Sequence, residues 1–223
     1  THCPFSSTLM ARMVQQEVDA PIVFTYHTKF DIEINKAVEL NFLRKTAKKF
    51  LVGNISACDE VWVVSKGAGE NLRGLGYEGD YVVMENGVDL SKGLASKELV
   101  EELRAKHNLP PDVPVFLFVG RLMWYKGARI ILDGLKEIAA EGKDFRMIFV
   151  GDSVERPEIE AYAKTLGISD RCIFTGAIHN RETIRGYFTL SDLFLFPSSF
   201  DTNGIVVREA AACGKASVLL KDS

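Results

Sequence analysis

Two segments of the chain combine residue types that could bind a phosphorylated ligand. In the first, residues 120–127, the cations Arg121 and Lys126 lie in a loop with a glycine at each end. Arginine grips phosphate oxygens through paired hydrogen bonds, and lysine acts as a point charge. The pair suits a diphosphate, including one that gains negative charge as it leaves, while an ordinary charged surface loop is the alternative.

The second segment, residues 201–209, carries a carboxylate at each end. Asp201 precedes a helical pattern that starts near Gly204, and Glu209 lies on that helix. The free N–H groups at a helix start favour an anion or a sugar hydroxyl. At about 1.5 Å rise per residue the carboxylates lie up to roughly 12 Å apart, so they could hold opposite ends of a nucleotide sugar. A helix-capping aspartate and a surface glutamate are the simpler interpretation.

The elements that would position these side chains are short apolar runs alternating with amphipathic stretches. Strand-helix-strand repetition with continuously apolar strands predicts an α/β fold with parallel sheets covered on both faces. The predicted strands are residues 22–25, 61–64, 81–84, 115–119, 147–150, 172–175, 193–196 and 217–220. The predicted helices are residues 9–18, 32–54, 69–75, 128–140, 158–166, 181–189 and 205–213.

The alternation is interrupted once, by a charged helical stretch followed by three prolines within residues 110–114. Prolines end helices and favour extended chain. We therefore predict a first lobe over residues 1–91, a linker region over 92–114 and a second lobe over 115–223.

Polar residues and glycines follow many of the predicted strands at their carboxyl ends, where open parallel sheets bind ligands. They include His27, Asn86, Gly120, Arg121, Gly151, Gly176 and Asp201. Both lobes have such an edge, and two edges that face each other would enclose a cleft.

Composition and motifs exclude several classes of function. The net charge of −3 argues against nucleic-acid binding. Neither the four cysteines nor the four histidines have metal-ligand or disulfide-framework spacing, which predicts no metal site and a reducing, cytoplasmic compartment. The apolar runs are too short to cross a bilayer. Gly67 and Gly69 lack the third glycine of a dinucleotide fingerprint, and no Asp-x-Asp pair is present to clamp a metal-bound diphosphate.

A basic cluster lies on the predicted helix over residues 32–54. Its members are Arg44, Lys45, Lys48 and Lys49. A solvated helix face is the simpler interpretation, and attraction to an anionic membrane surface or acceptor is the alternative.

Five segments in this order resemble glycosyltransferase family 4, whose members are retaining enzymes of the GT-B fold. The segments are residues 26–28, 60–65, 86–89, 120–127 and 201–209. The resemblance covers nearly the whole chain and implies two Rossmann-like parallel-sheet lobes facing a cleft. The family's opening glycine-rich loop and its closing strands and helix have no counterpart, so both lobes are expected to be incomplete.

The resemblance also implies roles for individual residues. Arg121 and Lys126 would hold the donor diphosphate, Asp201 would hold the donor sugar, and His27 would lie near the reacting side of that sugar. These four form the predicted catalytic set. The other predicted donor-binding residues are Gly120, Gly151, Ile178, Asn203, Gly204, Ile205 and Glu209.

Two of those residues would contact the nucleoside, and two positions depart from the family pattern. Glu209 would bind the ribose, and the loop around Ile178 would cover the base. Asp201 stands where the family more often has glutamate, and Asn203 replaces an aromatic or small residue. The shorter arm of aspartate is expected to change the sugar preference.

The function implied is retaining transfer of a hexose from a nucleotide diphosphate sugar to a hydroxyl of a glycan or lipid acceptor. No cofactor and no metal would take part, and peripheral contact with the inner membrane surface would fit a lipid acceptor. Two alternatives stay open. One is a sugar phosphorylase or epimerase on the same fold, and the other is a non-catalytic nucleotide-sugar-binding protein.

Overall fold

The computed structural model describes residues 1–88, 93–199, 201 and 204–221, with the backbone alone at residues 32, 33 and 36. The chain divides into two compact units, Thr1–Gly87 and Val88–Ser223. Each unit is built on its own parallel sheet.

The first unit has three described strands, Val23–Tyr26 (β1), Glu60–Val63 (β2) and Val82–Val83 (β3), in the order β1-β2-β3. Its helices are Ser6–Gln15 (α1), Phe30–Ala37 (α2), Asn41–Ser56 (α3) and Lys66–Gly74 (α4). Alternate strand residues such as Phe24, Val61 and Val63 are fully or almost fully buried, and Leu51 and Ile55 of α3 join them in one core. The backbone of Thr1 also pairs with β1, through Thr25 N–H to Thr1 O at 2.9 Å.

The single helix predicted over residues 32–54 is two helices, because the chain becomes extended at Val38. The Arg44 guanidinium stabilises the chain at this break. Its Nε donates to Val38 O at 2.5 Å, and its Nη2 donates to Asn35 O at 3.0 Å, so it satisfies carbonyls at the end of α2. Neither glycine nor proline marks the break, which is why the hydrophobic periodicity does not reveal it.

The second unit has a five-stranded parallel sheet in the order β6-β5-β4-β7-β8. The strands are Val115–Val119 (β4), Arg146–Val150 (β5), Cys172–Gly176 (β6), Leu193–Phe196 (β7) and Ser217–Leu219 (β8). The helices are Lys97–Lys106 (α5), Ala128–Ala140 (α6), Arg156–Thr165 (α7), Arg181–Leu190 (α8) and Ile205–Ala212 (α9), with 3-10 turns at Trp124–Lys126 and Ser169–Arg171.

Aromatic side chains on neighbouring strands fill the core of the second unit. Phe149 and Phe174 stack with ring centroids 4.8 Å apart, and Phe118 stacks on Phe196 at 5.8 Å.

Residues 92–114 were predicted to be a linker, but the described part of this segment packs on the second unit. Helix α5 packs against α8, and Leu103 and Leu109 are buried in this core, so these residues belong to the second unit.

The strand order of the second sheet creates a switch point beside β4. The chain runs from β4 to β5 and then β6 on one side, and it returns to place β7 on the other side of β4. In such sheets the crevice at the carboxyl ends of the two flanking strands is the usual ligand site. The loops at this crevice are residues 120–127 after β4 and, in the described part of the chain, residues 197–199, 201 and 204 after β7.

Candidate functional site

The centre of the candidate site is an ion pair between the two loops of the switch point. Lys126 Nζ lies 2.9 Å from Asp201 Oδ2, and the two side chains are 13% and 30% exposed. The second oxygen of Asp201 accepts a hydrogen bond from Gly204 N at 3.2 Å, ahead of helix α9. The structure therefore brings together two residues that the sequence places in separate segments.

Aromatic rings and a glycine fix Lys126 in position. Its ammonium lies 5.5 Å from the ring centroids of both Tyr125 and Phe196, within the range of cation–π attraction. The next residue, Gly127, has a φ of 89°, and a Cβ there would lie 2.3 Å from Pro197 O. Only glycine allows the two loops to approach this closely.

Arg121, the second predicted cation, lies at the start of the same loop and is exposed. Its Nη2 donates to the Tyr125 hydroxyl at 2.7 Å. Tyr125 is in turn connected to the loop after β7, because its carbonyl accepts hydrogen bonds from Ser199 N at 3.3 Å and Ser199 Oγ at 3.1 Å. Tyr125 thus orients Arg121 while joining the two loops.

Glycines at the carboxyl ends of β4, β5 and β6 bring three backbones close together. Gly151 N donates to Gly176 O at 2.9 Å, and Gly120 N donates to Val150 O at 3.0 Å. A Cβ on Gly151 would lie 1.8 Å from Gly120 O. The predicted donor residues Gly120 and Gly151 therefore lie side by side at this edge, where the lack of side chains leaves the backbone accessible to a ligand.

Helix α9 begins at Ile205 and carries Glu209 one turn further on, with Gly204 as its left-handed N-cap at φ 56°. Burial raises the pKa of the half-buried Glu209 carboxyl, and the positive charge of Arg181 acts in the opposite direction. Among the described residues, none donates a hydrogen bond to this carboxylate, so it can accept one from a ligand hydroxyl. Asn203, also predicted to bind the donor, lies outside the described residues.

The last two predicted residues lie at the ends of other strands. Ile178 follows β6 and packs, partly buried, against the core of the second unit. His27 follows β1 in the first unit, with its ring centroid 5.3 Å from that of His2. Burial, followed by the nearby His2, lowers the pKa of His27, which favours the neutral imidazole.

Three supporting residues were missed by the sequence analysis. Tyr125 and Ser199 join the loops after β4 and β7, and Glu155 Oε2 accepts a hydrogen bond from Trp124 N at 2.7 Å. Glu155 lies between β5 and α7, and its hydrogen bond fixes the start of the 3-10 turn that contains Lys126. Nothing in their local sequence distinguishes these residues from ordinary loop residues.

Taken together, the second unit offers two cations, two carboxylates and glycine backbone near one edge of its sheet. Such a set can bind a diphosphate through Arg121 and Lys126 and hydroxyl groups through Asp201 and Glu209. Within the described ranges, no group of three or more His, Cys, Asp or Glu side chains is placed to hold a metal ion. No helix in the described residues has the length and hydropathy needed to cross a membrane.

Two family models match the chain along its length. The model of "Glycosyl transferases group 1" matches residues 100–223, which is more than half of the chain. The model of "Glycosyltransferase Family 4" matches residues 1–92.

Two curated relatives are similar to this chain in amino-acid sequence. The chain is 25% identical over 218 residues to the alpha-monoglucosyldiacylglycerol synthase of Streptococcus pneumoniae, covering 96% of this chain and 49% of that protein. It is 35% identical over 133 residues to the 2-deoxystreptamine glucosyltransferase of Streptomyces kanamyceticus, covering 59% of this chain and 34% of the relative. The chain thus spans half or less of the length of these two relatives.

Solved structures show the same fold. Anabaena HepE in complex with UDP and glucose has a TM-score of 0.80 at 21% identity, covering 95% of this chain and 56% of that one. Sucrose-phosphate synthase from Thermosynechococcus elongatus has a TM-score of 0.79 at 23% identity, covering 98% and 54%. With its two parallel-sheet units and these matches, the chain belongs to the group 1 glycosyl transferases and has the GT-B fold.

Proposed function

We propose that this protein is a retaining glycosyltransferase that moves a hexose from a nucleotide diphosphate sugar to a hydroxyl of a glycan or lipid acceptor. The observation that carries the proposal is the Lys126–Asp201 ion pair at the switch point, with Arg121 exposed on the same loop. Two cations at the end of a parallel sheet suit a diphosphate, and an adjoining carboxylate suits sugar hydroxyls.

The names of similar proteins support this choice of substrate class. Relatives are named as a glucosyltransferase and a monoglucosyldiacylglycerol synthase. Among structures with the same fold, Anabaena HepE was solved with UDP-glucose, at a TM-score of 0.79 and 21% identity. A uridine nucleotide with a hexose is therefore our first choice of donor, and a lipid is one of two acceptor classes to test.

In the proposed reaction the bond between the sugar's anomeric carbon and the diphosphate breaks as the acceptor oxygen bonds to that carbon on the same face. The acceptor's proton passes to an oxygen of the leaving diphosphate. Arg121 and Lys126 stabilise the negative charge that grows on the diphosphate, a type of interaction worth a few kcal/mol in the transition state.

The remaining predicted residues hold the donor in place. Glu209 accepts hydrogen bonds from the ribose hydroxyls, and Asp201 holds the hexose. His27, as a neutral imidazole, forms a hydrogen bond near the reacting side of the sugar. In this proposal no metal or resident cofactor takes part, because the two cations supply the positive charge that the diphosphate needs.

We propose a cytoplasmic location, which the donor class and the cysteines support. The four cysteines of the chain are free, which fits a reducing cytoplasm, where nucleotide sugars are used. A lipid acceptor would place the protein at the inner surface of the membrane.

The test is calorimetric titration of UDP, GDP and ADP into the chain. We expect one nucleotide to bind selectively and Arg121→Ala to abolish that binding. Lys136→Ala is the matched control, because Lys136 is an exposed cation on helix α6 of the same unit. Binding that both variants weaken equally, or that neither affects, would contradict the diphosphate site.

Turnover distinguishes the proposed enzyme from the other activities of this fold. With the selected nucleotide sugar as donor, we expect transfer to a hydroxyl acceptor with retained anomeric configuration. Phosphate-dependent release of a sugar phosphate would identify a phosphorylase instead.

A further inference from the structure

The side chain of Trp124 connects the loop over residues 120–127 to helices α6 and α7. Trp124 begins the 3-10 turn that contains Lys126, and its ring packs, partly buried, against the core of the second unit. Lys126 N donates to Met123 O at 2.9 Å. Gly127 N donates to Trp124 O at 3.0 Å, which closes the turn. The position of the Trp124 ring is therefore transmitted to Lys126 through one short turn.

Two side chains from α6 and α7 enclose the Trp124 ring. The guanidinium carbon of Arg129 lies 4.9 Å from the centroid of the Trp124 ring and 4.6 Å from that of the Tyr162 ring. The two rings meet edge to face, with centroids 5.7 Å apart. These distances lie within the range of cation–π and aromatic attraction. We call Trp124, Arg129 and Tyr162 the Trp124 clamp.

Hydrogen bonds from both helices fix the members of the Trp124 clamp. The indole Nε1 of Trp124 donates to Glu158 Oε2 of α7 at 3.3 Å. The Tyr162 hydroxyl donates to Asp133 Oδ1 of α6 at 2.6 Å. Among the described residues, no carboxylate forms an ion pair with Arg129, so aromatic rings hold its guanidinium in place.

The Trp124 clamp lies at the surface, where it contributes little to the core. Arg129 and Glu158 are exposed, and Tyr162 is only partly buried. Its effect falls on the adjacent turn, which carries the Lys126 side chain at 13% exposure. A turn that is held in place beforehand loses less conformational entropy when a ligand binds to it. The clamp is therefore placed to change the affinity of the site more than the stability of the fold.

We propose that Arg129 and Tyr162 are positioning residues for the donor diphosphate, which act through Trp124 to hold the Lys126 ammonium where the diphosphate binds. This inference rests on the proposed function, because it requires that Lys126 contacts the donor. It extends that function to α7, a helix that carries none of the predicted site residues.

The test is calorimetric titration of the nucleotide that the unaltered chain selects, which is UDP in our proposal. Arg129→Ala should lower the affinity by about fivefold, the order of two exposed cation–π contacts. Tyr162→Ala should lower it to a similar extent, and Tyr162→Phe should restore most of the loss because it keeps the ring. Lys136→Ala is the matched control, since it removes another exposed cation of α6 and should bind like the unaltered chain.

A double-mutant cycle tests whether the Trp124 clamp acts through Lys126. In a chain that carries Lys126→Met, Arg129→Ala should have no further effect on the affinity, because the side chain that it positions is gone. Additive losses would overturn the positioning role, since they would show that Arg129 affects binding independently of Lys126.

Fluorescence gives a direct measure of the Trp124 clamp. The chain has two tryptophans, and Trp62→Phe leaves Trp124 as the only one. The buried indole N–H of Trp62 has no partner among the described residues, so this change removes no hydrogen bond. In that background Arg129→Ala should shift the emission to longer wavelength, because the Trp124 ring becomes more exposed. Saturating UDP should reverse part of the shift, since bound diphosphate orders the turn through Lys126.

The two proposals fail in different ways. If the unaltered chain binds none of UDP, GDP and ADP, the proposed function and the role of the Trp124 clamp are both wrong. If it binds a nucleotide and Arg129→Ala leaves the affinity unchanged, or Lys136→Ala lowers it equally, only the role of the clamp is wrong. Circular dichroism should be the same for every variant, which separates a displaced turn from an unfolded chain.

Discussion

Lys126 is a cation whose charge is largely balanced within the protein. Its partner Asp201 lies 2.9 Å away, so a diphosphate that binds Lys126 competes with this carboxylate. Asparagine at position 201 would keep the oxygen that accepts the Gly204 N–H and remove the negative charge. We therefore expect Asp201→Asn to raise the affinity for UDP by about fivefold, the order of a partly exposed ion pair.

Calorimetry with UDP checks this expectation, and Lys126→Met is the companion variant, which should lower the affinity. The same Asp201→Asn change should weaken the extra affinity that a nucleotide sugar has over UDP, because Asp201 is proposed to hold the sugar. If both variants weaken UDP binding equally, the pair serves to support the loops and does not compete with the ligand.

Glu209 illustrates a conflict between stability and binding in a single residue. Burial raises the pKa of its carboxyl in the folded chain, so the folded state favours the protonated form more than the unfolded state does. The stabilisation that this pKa shift contributes is fully present below the pKa of Glu209 in the unfolded chain. It is lost as the pH rises through the pKa of Glu209 in the folded chain. At neutral pH the ionised Glu209 therefore destabilises the fold.

Because ionised Glu209 destabilises the fold at neutral pH, we expect Glu209→Gln to raise the melting temperature at pH 7 by a few degrees. In acid the same variant should change the melting temperature little. The same variant should bind UDP more weakly, because an amide is a poorer acceptor for ribose hydroxyls than a carboxylate. Thermal unfolding over a series of pH values, paired with UDP titration, measures both effects. A variant that is less stable at pH 7 would show that a favourable interaction of the carboxylate outweighs its burial.

At the scale of elements, the site depends on how closely the ends of β4, β5 and β6 approach one another. Gly151→Ala would place a Cβ 1.8 Å from Gly120 O at a φ of 143°, where side chains are disfavoured. We expect a loss of about 3 kcal/mol or more in the free energy of unfolding, together with weaker UDP binding.

Gly134→Ala provides the control within the same unit. Gly134 lies exposed in the middle of α6, and a Cβ there meets nothing within 4 Å. Alanine should therefore stabilise the chain by about 0.5–1 kcal/mol. Urea unfolding of both variants distinguishes the two positions, and similar losses in both would contradict the steric argument.

The elements of the second unit could be predicted from the sequence because each buried strand is a continuous apolar run that ends at a polar residue, a glycine or a proline. That pattern also located Gly120, Gly151 and Arg121 at one sheet edge. The break between α2 and α3 could not be predicted from hydrophobic periodicity. It is stabilised by hydrogen bonds from Arg44 to backbone carbonyls, and these contacts leave no trace in the hydrophobic pattern. The pairing of Lys126 with Asp201 was missed because it joins residues 75 positions apart and arises from the placement of β7 beside β4.

At the scale of the whole molecule, the two units have separate cores of unequal size. The first relies on three described strands, one of which has two residues, and its buried cluster is small. The second has five strands and a larger cluster that includes Leu103 and Leu109 from the segment preceding β4. Larger cores bury a greater share of their apolar surface and are more stable by themselves.

We therefore expect residues 88–223, expressed alone, to unfold cooperatively in urea and to bind UDP with the affinity of the whole chain. The physical reason is that the strands β4–β8, the loops around Lys126 and Asp201, and Glu209 all belong to this unit and contact one another within it. A shorter piece that starts at residue 115 is the matched control. It lacks Leu103 and Leu109, so it should lose cooperativity. Equal behaviour of the two pieces would show that residues before β4 are a linker after all, and failure of both to bind UDP would show that the first unit is needed to complete the site.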